Sequence, residues 1–205
     1  MLEIVFTIII GATIAEFFGY LTHIVLHSNK IEYLSRNHMI HHLVLYGPKT
    51  RMRSKDYLSP LVNRMGLFGV GFEWLIPIGL ILALYLFLFW LLQPALHLSI
   101  IFLAVNVFWV VFFYGYMHQA MHLSGFWMLK NKYFKKWFNG VRPLHDIHHL
   151  EFSDKGLMNK NYGICFFAFD KIFGSFSPHH KPFNEKGYKK AEKLYDFVYR
   201  ELHKK

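Results

Sequence analysis

The stretch "WLIPIGLILALYLFLFWLLQPALHLSIIFLAVNVFWVVFFYGYM", Trp74 to Met117, holds no Asp, Glu, Lys or Arg from end to end. A helix of about 20 apolar residues crosses a bilayer core of roughly 30 Å, so this stretch is long enough for two crossings. Its apolar run is broken only at "QPA" (Gln93–Ala95). The expectation is a tight helical hairpin with spans at 74–92 and 95–117. Working towards the N-terminus, "IVFTIIIGATIAEFFGYLTHIVL" (Ile4 to Leu26) makes a third span, 4–26. A cleaved leader is the other reading of that segment. It fits poorly, because no basic residue precedes the run and Glu16 and His23 interrupt it.

The rest of the composition agrees. The 205 residues are 54% hydrophobic and 19% aromatic, with 22 Phe, against roughly 45–50% apolar in soluble domains. The length predicts one domain, 1–205. The net charge of +10 is segregated: all 23 Lys and Arg lie in 28–64 and 125–205. Basic residues that avoid the apolar segments are expected of a multi-pass integral membrane protein. The loop 28–64 holds seven of them against Glu32 and Asp56, and the hairpin tip holds no charge. The positive-inside rule therefore places segments 28–71 and 118–205 on the cytoplasmic side. A basic patch also suits nucleic acid, but a chain held in the membrane argues against that partner. "KNKYFKKWF" (Lys130–Phe138) reads instead as an amphipathic stretch at the headgroup surface. The C-terminal "KGYKKAEKLYDFVYRELHKK" reads as a helix with a solvated charged face.

Ten of the 14 histidines form one pattern written twice. "HIVLH" (His23, His27) is followed by "HMIHH" (His38, His41, His42), and "HQAMH" (His118, His122) by "HDIHH" (His145, His148, His149). Residues i and i+4 are neighbours on one helical face, so HxxxH aims two imidazoles at one point. By the same spacing, the three histidines of each HxxHH are expected to converge from one turn. Both HxxxH pairs end a span and both HxxHH triplets follow one, so all ten reach one side of the membrane. Five ligands per copy exceed the four of a tetrahedral zinc site, whereas ten suit two metal ions. Imidazole binds Fe, Zn, Cu and Ni alike, and the spacing does not name the metal. One cysteine, Cys165, excludes an internal disulfide and a thiolate cluster. A lone interfacial histidine is ordinarily a hydrogen-bonded core residue. Ten together without a ligand would repel on protonation or cost desolvation.

Several neighbours are candidates for supporting roles. Glu16, seven residues before His23, is expected to face the bundle and to accept a bond from Asn106 or from a site histidine. Asp146 is expected either to orient an imidazole or to sit on a helix surface. Tyr114 and the aromatic run "FWVVFFY" either line a substrate cavity or face lipid and pack helices. His179 and His180 fall outside the pattern and are expected in a solvent loop.

The order HxxxH, HxxHH, HxxxH, HxxHH, interleaved with spans, resembles the fatty acid hydroxylase/sterol desaturase superfamily. "NYGICFFAFDKIFGS" (Asn161–Ser175) looks like that family's segment after its last histidine box. "HHLVLYGPKTRMRSKDYLSP" and "GVGFEWLIP" look like stretches of its short stand-alone members. The likeness covers roughly 12–178. It implies an all-α integral membrane fold with a cytoplasmic helical cap and a non-haem di-iron enzyme. Two iron ions, which zinc can replace in purified protein, would be held by His23, His27, His38, His41, His42, His118, His122, His145, His148 and His149. It also implies O2 as cosubstrate and electrons from a separate donor protein. The reaction implied is hydroxylation of an unactivated C–H of a lipid, fatty acyl or sterol-like, with desaturation on the same site as the alternative. Four spans are common in the family, which makes residues 55–72 the candidate for an extra short membrane element. A metal transporter or sensor is the rival class. Transport would need polar groups deep in several spans, and the second span is read as having none.

Overall fold

The computed structural model describes residues 1–59 and 74–202. Among these residues the chain is helical, with no strand and one isolated parallel bridge between Ser54 and Leu123. Three helical runs are long and apolar enough to cross a membrane: Leu2–Leu26, Leu75–Leu92 and Leu96–Met121. The first is α1. After a short turn, α2 (Glu32–Ile40) runs into a π-helical turn at His41–Leu45. The second long helix is α3 (Leu75–Leu92). The third begins as α4 (Leu96–Trp109), widens into a π-helical stretch over Val110–Met117 and ends as α5 (His118–Met121). There follow α6 (Lys135–Leu150), α7 (Ala168–Phe173), α8 (Glu185–Leu194) and α9 (Phe197–Leu202). The helices expected at the three candidate spans are thus present, and the third continues through His118 to Met121. Residues 55–59 are irregular, and the rest of the candidate membrane element at 55–72 lies outside the described residues.

The long helices keep their polar groups internal, as an apolar surround requires. The hydroxyls of Thr7, Thr13 and Thr22 each donate, at 2.8 Å, to the carbonyl four residues earlier. The hairpin turns at Gln93, which adopts a left-handed φ of 48° and bonds its N–H to the Phe89 carbonyl at 2.9 Å. Pro94 then has no N–H with which to continue the helix. α1 buries one face (Gly11, Ala15, Glu16, Gly19, Tyr20 and His23) and packs along α4. The approach is closest at Gly19, where a Cβ would stand 2.2 Å from a ring carbon of Tyr114. Only glycine fits there. Large apolar side chains cover the opposite faces of α1, α3 and α4, the surface that lipid would wet. The second span does carry a polar group, contrary to the sequence reading. Tyr85, the buried residue of α3, donates to Asn106 Oδ1 on α4 at 2.9 Å.

At one end of these helices the remaining elements form a helical cap with two apolar cores. One joins α2 and its π-helical turn (Met39, Ile40, Leu43) to α8 and α9 (Tyr188, Ala191, Val198). The other joins the end of the third span (Met117, Met121) to α6 and the segment before α7 (Phe138, Ile164, Phe167). The C-terminal segment, expected as one helix, is two short ones separated at Tyr195–Asp196. Its lysine-rich face is exposed as expected.

Candidate metal centre

All ten histidines of the repeated pattern meet inside the cap, between the two cores. They form two groups: His23, His27, His38, His42 and His148, and His41, His118, His122, His145 and His149. Within each group the potential ligand nitrogens all lie within 4.8 Å of one another. The two HxxxH pairs hold equivalent places, since His27 closes α1 and His122 closes α5. The triplets do not behave as expected. His38 and His42 join the first group while His41 joins the second; His145 and His149 join the second while His148 crosses to the first. The physical reason is helical phase. Each residue turns the helix by about 100°, so the first and last histidines of HxxHH share a face and the middle one points well away from its neighbour. The groups abut where the rings of His42 and His149 stack at 3.9 Å.

Backbone carbonyls set the tautomers. His23 Nδ1 bonds to the Tyr162 carbonyl, His148 Nδ1 to that of Lys160 at 2.7 Å, His122 Nδ1 to that of Met52 at 3.2 Å and His149 Nδ1 to that of Tyr46 at 3.1 Å. A carbonyl only accepts, so each Nδ1 carries the proton and each neutral ring turns a bare Nε2 inward. In the first group His38 Nε2 lies 3.0–3.1 Å from the Nε2 atoms of His23, His27 and His42, and His27 Nε2 lies 3.1 Å from that of His148. One proton on His38 can bridge only one of its three neighbours. In the second group His122 and His145 approach through Nε2 at 3.1 Å, while Nε2 of His41, His118 and His149 is buried with no partner.

This arrangement fits a cation. Two nitrogens each about 2.1 Å from one ion stand about 3.0 Å apart at a right angle, the spacing seen here. Protons are a poor substitute. Burial first, and the charge of neighbouring imidazoles second, hold His27, His38, His41, His42, His145 and His149 well below the ordinary histidine pKa. Eight of the ten side chains are at most 5% exposed. The donors are all imidazole, so each group offers a nitrogen-rich site for a transition-metal ion.

The carbonyls that orient the rings are themselves held. Asn161, at a left-handed φ of 53°, donates through Nδ2 to the carbonyls of Leu144 and Ser177 and accepts from Ser177 N–H. Buried Asp170 accepts from the N–H groups of Tyr162 and Gly163, each at 2.7 Å, and from Ser175 Oγ at 2.6 Å. Gly163 has no room for a Cβ, which would lie 2.0 Å from the Phe166 carbonyl. The Asn161–Ser175 stretch thus forms a knot that presents the Lys160 and Tyr162 carbonyls to the first group. A strap through residues 46–58 serves the second. Ser54 pairs with His122 and Ser124 through its backbone, and the Tyr46 ring stacks on His122 at 4.0 Å. Asp146 touches no imidazole and is not a plain surface group. It binds Arg53 at 2.5 and 2.6 Å, next to the Met52 carbonyl that orients His122. Arg142 caps the end of α5 at the carbonyls of Met121 and Leu123. Its pKa is pulled down to about 10, by burial first and then by Arg53, so it stays charged at neutral pH.

The other candidates fall outside the two groups. Glu16 is buried as expected, but its partner is Trp109, whose Nε1 donates at 2.7 Å; neither Asn106 nor a site histidine reaches it. Tyr114 packs on Gly19 and donates to the Glu16 carbonyl at 3.2 Å. His179 and His180 are exposed. In the Lys130–Phe138 stretch Phe138 is buried while Tyr133 and Phe134 face outward. The carbonyls of Tyr46, Met52, Lys160 and Tyr162 were not foreseen from sequence, because a backbone acceptor has no residue signature.

The family model for fatty acid hydroxylases matches residues 8–175, most of the chain, and the protein belongs to that family of hydroxylases and desaturases. No curated protein matches the chain, and no solved structure does.

Proposed function

We propose that this member of the fatty acid hydroxylase family is a membrane-embedded di-iron lipid hydroxylase. The observation that carries the reading is the pair of five-imidazole groups with bare, inward-turned Nε2 atoms, set where helices long enough to span a bilayer end. His23, His27, His38, His42 and His148 would hold one iron, and His41, His118, His122, His145 and His149 the other. Bound iron would supply O2-activating redox chemistry. The balance is RH + O2 + 2 e⁻ + 2 H⁺ → ROH + H2O, with the C–H bond of a lipid replaced by C–OH and electrons drawn from a separate donor protein.

The chain's own residues perform the positioning. The carbonyls of Tyr162, Lys160, Met52 and Tyr46 keep four rings in one tautomer, which raises their basicity as ligands. The two apolar cores exclude water from both sides of the histidines. The apolar outer faces of the long helices would offer a lipid substrate a route to the centre, and the Lys and Arg confined to 28–64 and 125–205 support a cytoplasmic position for it.

The test is metal analysis of protein purified anaerobically in detergent, beside His148→Ala, with lipid profiling of cells expressing each. Two irons per chain, reduced in the variant, and a lipid product heavier by one oxygen that the variant does not form, support the reading. A single zinc that survives His148→Ala would sink it.

A further inference from the structure

The ten histidines are not equally anchored. In the first group His23 and His148 have their rings fixed by carbonyls, whereas Nδ1 of His27 and of His42 is buried with no partner within hydrogen-bond distance. Those two rings, like that of His145 in the second group, have no carbonyl on Nδ1, and they are aimed by their backbones and by their contacts with neighbouring imidazoles. Both backbones are held by the C-terminal helices. His27 ends α1, where the last carbonyls of a helix lack intrahelical partners, and its carbonyl accepts from Tyr195 Oη at 2.7 Å. His42 follows Met39 and Ile40, which with Leu43 share one apolar core with Tyr188, Ala191, Tyr195 and Val198. An ion pair reaches α2 from outside, Arg200 with Glu32 at 3.8 Å, while Lys49 with Glu192 at 3.2 Å joins α8 to the 46–58 strap. All of these C-terminal residues lie beyond Ser175, where the match to the family ends.

We propose that α8 and α9 are a clamp for the first metal site, with Tyr195 as the positioning residue for His27 and the Ala191 face as the seat of α2. The inference rests on the metal-centre reading above. It makes the two sites unequal. The first depends on a segment outside the family-matched region. The second is held by the 46–58 strap and by α6, and it takes from α2 and the π-helical turn after it only His41.

The test is Co2+ loading of the full chain in detergent under argon, followed by competition with a chelator and read by the cobalt absorption bands. The variants are Tyr195→Phe, which removes one hydroxyl from an otherwise intact ring, and Ala191→Glu, which forces a charge into the seat. Arg53→Ala serves as the reciprocal control on the strap. Two ions should bind the unmodified chain. Tyr195→Phe should weaken one of them about threefold to tenfold and leave the other unchanged, and Ala191→Glu should weaken the same one more. Arg53→Ala should weaken the other ion. A role confined to overall stability would lower both steps together, and that result, or two unchanged steps in Tyr195→Phe, overturns the proposal. If Ala191→Glu does not fold, the Tyr195→Phe titration decides alone. Failure of the unmodified chain to bind cobalt refutes the metal-centre reading and, with it, this inference; two ions bound in the unmodified chain isolate the clamp as the point under test.

Discussion

Exchange of the middle histidines between the two groups can be tested by pairing substitutions. In the structure His27 belongs to the first group, and His41 and His122 to the second. His27→Ala/His41→Ala therefore removes one imidazole from each group and leaves four in both. His41→Ala/His122→Ala removes two from the second group and none from the first. Four-ligand zinc sites gain about 10–16 kcal/mol from their metal, so one ligand is worth about 3 kcal/mol. With 1.4 kcal/mol per factor of ten, the first pair should weaken both ions about a hundredfold. The second pair should weaken one ion by about ten thousandfold and leave the other near its original affinity. Chelator competition on cobalt-loaded protein in detergent separates these outcomes, since one gives two weakened steps and the other gives one normal step and one lost. If each histidine triplet served a single ion, as sequence spacing alone suggests, the two patterns would be interchanged. Observation of that interchange would refute the crossed assignment.

Two further outcomes follow from the supports of the site. Asp170→Ala leaves two buried N–H groups and the Ser175 hydroxyl without their acceptor, at about 1–3 kcal/mol for each unsatisfied group. Thermal unfolding should drop accordingly and the first metal ion should weaken, whereas an unchanged melting temperature would contradict the knot around Tyr162. In the metal-free protein, burial holds His42, His145 and His149 well below their unfolded pKa of 6.5. The unfolded chain then binds more protons below that value, so stability is fully present above about pH 6.5 and lost as pH falls, by up to about 1.4 kcal/mol per pH unit for each such histidine. Melting curves from pH 7.5 to 5.5 check this, and a flat profile speaks against neutral buried imidazoles.

The spans were legible because each is a local property. An uncharged apolar run dictates a lipid-compatible helix wherever it lies in the fold, and Gln93–Ala95 breaks it by its own backbone chemistry. The π-helical widening at His41–Leu45 and Val110–Met117 has no such signature. It adjoins both histidine sets, as π turns often do at functional sites. Glu16 was correctly read as facing inward, since a carboxylate in an apolar helix has few other places to go. Its bond to Trp109 was not readable, because the register of α1 against α4 is set where Tyr114 lies over Gly19. Asp146 met Arg53 for a similar reason: the pair is brought together by a strap that pairs with His122 and Ser124 across the chain.

By itself the sequence determined that this chain has three bilayer-length helices and ten histidines bound for one end of them. Hydrophobic length and helical spacing act within a few turns, and they need no partner to be read. Tertiary structure alone decided which five imidazoles form each group and which nitrogen each ring turns inward. His41 and His148 are assigned by where two helices from opposite halves of the chain meet. The tautomers are assigned by carbonyls of Tyr46, Met52, Lys160 and Tyr162 that fold back onto the rings. Contacts of that kind depend on packing across the chain, and the backbone groups that make them are the same in every residue type but proline's missing donor.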